Sequence, residues 1–164
     1  MKSLIIKACG IAAVVGGTLR VLTSVLPATT GKMMTLYLII DLLLLFGCVG
    51  FYQFQWVAVR LPETLGVVLE IVGALILIAR DLALLKPEAY PTGALLFAVG
   101  LDLFAIGSWK RRTFARWILV FLILSTVIGP IGFFIPGLAI LFAASGILFG
   151  IGFAGAGVSI LRAG

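Results

Sequence analysis

The sequence predicts an all-α integral membrane protein: one transmembrane domain, residues 1–164, of six helices arranged as three hairpins. Three observations carry that prediction. Of 164 residues, 63% are hydrophobic and 11% charged, against roughly half and a quarter in an ordinary soluble domain. A chain this short leaves about a third of its surface in water when it folds alone, so an apolar excess of this size (mean hydropathy +1.31) must face lipid. Six apolar runs approach the roughly 20 residues that cross a hydrocarbon core about 30 Å thick. Finally, the basic residues gather mainly at the ends of those runs.

The first run, 4–26, faintly imitates a cleaved signal, with Lys2 before it and small residues near Pro27. Lys7 and Arg20 interrupt it, so a retained helix is expected. The other runs are 33–54, 64–85, 92–109, 115–134 and 137–161, giving hairpins at about 4–54, 64–109 and 115–161. Backbone groups in hydrocarbon have no water to bond, so each run must be helical. Pro27-Ala28-Thr29-Thr30-Gly31-Lys32 and Lys86-Pro87-Glu88-Ala89-Tyr90-Pro91 read as turns. Between Trp117 and Leu161 there is no charge, and only Gly129-Pro130 and Pro136-Gly137 punctuate the run. Two prolines, each beside glycine, are expected to separate two helices; a kinked re-entrant segment is the alternative.

Lys110, Arg111, Arg112 and Arg116 form the densest basic cluster, which places that connection in the cytoplasm and suits anionic lipid headgroups. Six spans then carry Lys2, Lys7, Arg60 and Arg162 to the same side, so both termini are expected to be cytoplasmic. Tyr52, Trp56, Tyr90, Trp109 and Trp117 fall near the expected interfaces, where amphipathic rings are favoured. The expected setting is a bacterial cytoplasmic (inner) membrane.

The charges inside the spans suggest an internal repeat. Arg20 precedes Pro27 by seven residues and Asp41 by twenty-one; Arg80 precedes Pro87 by seven and Asp102 by twenty-two. This reads as a duplicated hairpin. At 1.5 Å per residue Arg20 lies roughly 10 Å below its turn and Asp41 roughly 14 Å. Such a gap is within reach of an arginine, and an unpaired charge at the bilayer centre costs about 2.5–3.5 kcal/mol. Pairs Arg20–Asp41 and Arg80–Asp102 are therefore expected, with Asp81 a competitor for Arg80. Tyr37 stands one turn from Asp41 and is placed to bond it. Glu70 lies midway along its span on the face of Gly66 and Gly73, small residues that admit a neighbouring helix. Glu70, Tyr37 and Asp81 are the candidates for a proton, ion or polar-solute site; the alternative makes all these charges fixed packing pairs.

The last span is rich in small residues, including Gly146 and Gly150, and Ala13 with Gly17 form a smaller version in the first. Such faces drive close packing within a chain or against other transmembrane subunits.

The composition excludes much. The chain has no histidine, which removes imidazole ligation and the commonest general base. Cys9 and Cys48 sit in apolar runs and read as small buried hydrophobes. No catalytic or metal-ligand spacing is present, so no catalytic residue, metal or cofactor is expected. Nor is nucleic acid, since the basic residues suit lipid and topology. Two function classes remain: a non-catalytic accessory or scaffolding subunit of a larger membrane complex, or a small transporter or ion conductor using intramembrane acids.

Overall fold

The computed structural model describes residues 2–26, 32–55 and 61–163, with side chains from residue 4 in the first segment and 34 in the second. Of the expected turn at 27–32, residues 27–31 lie outside the described residues and Lys32 already begins a helix; the interfacial Trp56, the basic Arg60 and the side chains of Lys2 and Lys32 also lie outside them. Six helices follow in order: α1 (Lys2–Val25), α2 (Lys32–Gln55), α3 (Leu61–Asp81), α4 (Ala89–Arg111), α5 (Arg116–Phe134) and α6 (Ala139–Ala163). All six are long and apolar enough to cross a membrane, and large aliphatic and aromatic side chains stay exposed along them. The chain is a polytopic membrane protein.

Each helix packs antiparallel on the next, and α6 returns to α1, closing a ring. Glycines set two of its seams. Gly66 and Gly73 of α3 lie against backbone at Gly100 and Gly93 of α4, and Gly10 and Gly17 of α1 against backbone or side chains at Gly157, Gly150 and their neighbours on α6. A Cβ on Gly66 would stand 2.7 Å from the Gly100 carbonyl oxygen. Spaced by seven, these glycines return to the same face every two turns and let two backbones touch. Gly152 and Gly155 turn the other side of α6 onto Leu122 and Trp117 of α5. The small-residue faces are thus occupied within the chain.

One end of the bundle, called here the basic end, carries the α4–α5 connection, the start of α1 and the end of α6. The other, the turn end, carries the α3–α4 and α5–α6 turns. Thr23, Ser125 and Ser145, all buried, donate to carbonyls three residues back, as Ser125 does to Leu122 at 2.6 Å, which settles their hydroxyls in an apolar setting.

Helix α3 ends at Asp81, four residues short of its apolar run. The backbone closes there in a Schellman motif: Leu84 N–H donates to Ala79 O at 2.8 Å and Ala83 N–H to Arg80 O at 2.9 Å. Ala83 takes φ 57°, a left-handed conformation that costs a Cβ-bearing residue about 1–2 kcal/mol. Ala83→Gly is therefore expected to raise the thermal midpoint in detergent, by up to about 1 kcal/mol of stability once the greater freedom of unfolded glycine is set against it. In α4, Pro91 sits in the first turn, where no N–H is needed. The final apolar run is two helices. Pro130 lies inside α5, and the break falls later, at Pro136 and a left-handed Gly137 (φ 89°).

Candidate functional site

The inward stripe of α2 shows how the bundle is layered. Tyr37, Asp41, Leu44, Cys48, Phe51 and Gln55 recur at three- and four-residue steps, so they share one face. From the turn end downward they meet a polar cavity, an apolar floor, a buried acid, an aromatic plug and a polar cluster.

The cavity, about 410 Å³, takes lining residues from all six helices. Arg20 (α1), Tyr37 and Asp41 (α2), Arg80 and Asp81 (α3) and Tyr90 (α4) supply its polar wall; Phe133, Phe142 and Phe149 of α5 and α6 close the far side. The Arg20 guanidinium lies over the Tyr37 ring, 5.8 Å from its centroid, and that of Arg80 over Tyr90 at 5.0 Å. These are cation–π distances. The contact recurs in both hairpins, but with the tyrosine seventeen residues after Arg20 and ten after Arg80.

Arg80 forms an ion pair with Asp81 rather than with the expected Asp102. Asp81 is the last residue of α3, where the chain leaves the helix and a long arginine can curl back onto its neighbour. Asp41 faces Asp81 within hydrogen-bonding reach, and both guanidiniums act on it electrostatically. Two carboxyls meeting in this way need a proton between them or cations around them; Arg20 and Arg80 are those cations. Among the described residues Arg20 makes no ion pair and no side-chain hydrogen bond, and Tyr37 is paired with Arg20 through its ring rather than bonded to Asp41. A guanidinium carries five donors, so Arg20 presents unused ones to the cavity.

Asp102 lies elsewhere, in the space between α4 and α5, where Thr126 donates to it at 2.7 Å. Gly93, Gly100 and Gly107 turn one face of α4 to α3. Asp102, two residues past Gly100, is rotated about 200° from that face.

Leu44 and Ala74 form the apolar floor. Beneath them Glu70 is 0% exposed and outside the cavity; among the described residues neither carboxyl oxygen has a well-formed hydrogen bond, and the Cys48 thiol is its polar neighbour. It sits deep in the packing rather than on a water-reachable wall. Glu70→Gln, which keeps the shape and removes the need to bury a charge, is expected to leave the thermal midpoint in detergent unchanged or higher. A large fall would show that the carboxyl is needed for the fold.

Below Glu70, Phe51, Phe104 and Phe153 are almost wholly buried and stack with Phe114, at centroid distances from 4.7 Å (Phe51–Phe153) to 6.0 Å (Phe104–Phe114). They close the cavity from the basic end. Beyond them Gln55 donates to Ser108 at 2.9 Å, and Arg111 pairs with Glu63 at 3.1 Å. Arg111, expected at lipid headgroups, is thus turned inward, while Lys110, Arg112 and Arg116 remain exposed. Among the described residues no three acids or cysteines gather as a metal site.

Compared with protein-family models, with curated proteins and with solved structures, the chain matches none. Its site is therefore read from geometry.

Sequence reasoning reached Arg20, Tyr37, Asp41, Arg80 and Asp81 but not Tyr90, which it took for an interface anchor, nor the phenylalanine wall. It also missed the pairing of Glu63 with Arg111. The signal for that pair was available: an acid at the start of a span with a basic cluster at the end of the span packed against it.

Proposed function

We propose that the protein is a non-catalytic small-molecule carrier that holds its substrate by an anionic group in the turn-end cavity, with the basic end in the cytoplasm. The observation that carries this reading is Arg20, a guanidinium with no ion pair or hydrogen-bonded acceptor among the described residues, in a cavity of about 410 Å³ built from all six helices. That volume lies in the range of ligand sites. A packed helper has no need of four charged side chains around one space, two of which, Arg20 and Asp41, lie inside their spans where charge is costly. The phenylalanine plug supports a state closed toward the basic end, one of the two states that alternating access requires. Lys110, Arg112 and Arg116 are assigned to anionic headgroups at the cytoplasmic surface. The accessory-subunit reading drew on small-residue faces that would suit a partner, and those faces are used within the chain.

Thiol labelling tests the proposal. Ala94 lines the cavity, and Ala94→Cys in a background with Cys9 and Cys48 replaced by alanine should react with membrane-impermeant methanethiosulfonates added to the turn side only. An anionic reagent should react faster than a cationic one, and Arg20→Gln should remove that preference. No labelling from the turn side, or a preference for the cation, would overturn the proposal.

A further inference from the structure

We propose that the carried molecule is a single-chain amphiphile of the membrane, with a carboxylate or phosphate head held by Arg20 and its tail lying in a cleft between α4 and α5. The inference rests on the carrier reading above and names its substrate class. The polar cavity does not stop at its phenylalanine wall. A second, largely apolar space of about 530 Å³ shares Arg20, Tyr90, Ala94 and four phenylalanines with it and continues between α4 and α5. Of the neighbouring pairs in the ring, α4 and α5 touch least. The walls of this cleft reach the lipid-facing surface: Leu95 is 60% exposed, Val99 42% and Phe134 69%. On α4 its lining runs from Tyr90 to Asp102, roughly 18 Å at 1.5 Å per residue, a length suited to one acyl chain.

Arg20 stands where the two spaces join. Gly146 leaves room there: a Cβ at that position would come within 3.7 Å of the Arg20 Nε and would strike the Ser24 hydroxyl. The polar groups that line the cleft besides Arg20 offer no competing site for an anion. Asp102 is acidic, and the hydroxyls of Ser125, Thr126 and Ser145 are spent on Leu122, Asp102 and Phe142, which leaves acceptors facing the space. An acidic head is therefore drawn to the guanidinium, which binds oxyanions in bidentate fashion, and the tail follows the apolar walls. A water-soluble anion would use the first cavity alone and gain nothing from the second.

The test is binding of radiolabelled palmitate to the purified full chain in nanodiscs of neutral phosphatidylcholine. Unlabelled palmitate and hexadecyl phosphate should compete, whereas hexadecanol, which lacks the charge, and butyrate, which lacks the chain, should compete at least tenfold less well. Arg20→Gln should weaken binding at least tenfold. Ala98→Trp, at a position that lines the cleft but not the first cavity, should also weaken it while leaving the reagent preference at Ala94→Cys intact, which separates a blocked cleft from a misfolded protein. Equal competition by butyrate would overturn the amphiphile and leave the carrier standing. Absence of palmitate binding together with an intact anion preference at residue 94 would do the same. Loss of both signals in the unmodified site would sink the carrier reading with it.

Discussion

Replacing Arg111 with methionine is expected to destabilise the protein by about 3–5 kcal/mol, the usual result of stripping the partner from a buried ion. Arg111 and Glu63 meet at 3.1 Å with side chains 16% and 3% exposed, and Gly107 makes room for the acid, since a Cβ there would touch the Glu63 carboxyl carbon at 2.5 Å. The Glu63 Oε2 has no other partner among the described residues, so it has nowhere to turn when the guanidinium is removed. The double variant Glu63→Gln/Arg111→Met should recover most of the loss, because neither charge is then stranded. Thermal unfolding in detergent of the parent, Glu63→Gln, Arg111→Met and the double variant gives the coupling. If the double variant is as unstable as Arg111→Met alone, the destabilisation is lost packing rather than an abandoned charge.

That pair also shows where sequence reasoning ended. Segment lengths, Pro–Gly punctuation and hydropathy are local, and they placed all six helices within a few residues. The exception at the end of α3 is instructive: Leu82, Leu84 and Leu85 prolong the apolar run, but the left-handed Ala83 stops the helix by a backbone choice that alanine does not advertise. Charge partners depend on rotation about each helix axis, which spacing along the chain does not fix. Pairing Arg80 with Asp102 matched their depths but ignored that Asp102 faces away from α3. The heptad glycines Gly93, Gly100 and Gly107 would have given that rotation had their face been traced. The site was legible as a set of polar residues at one depth. The aromatic wall was not, because phenylalanines in a lipid-length run look alike whether they face lipid, a neighbouring helix or a cavity.

Replacing Phe51 with alanine should open the molecule from the basic end as well as weaken it. The ring is 0% exposed and touches Phe104, Phe114 and Phe153 at centroid distances of 5.8, 5.9 and 4.7 Å, so its loss should cost about 3–5 kcal/mol. The position has a built-in reporter. Cys48 lies one turn above Phe51 on the same face of α2 and is 0% exposed, sealed between the cavity floor and the plug. In a Cys9→Ala background, a small impermeant thiol reagent added to the basic side should leave Cys48 unmodified and should label it in Phe51→Ala. Labelling from the basic side alone would identify the aromatic cluster as the inner barrier beneath the cavity. Labelling in the parent protein would mean that water already passes the plug, and the closed end assigned to this bundle would have to lie elsewhere. Equal labelling from both sides in the variant would show that Leu44 and Ala74 are no barrier by themselves, and that one layer of phenylalanines separates the two faces of the membrane.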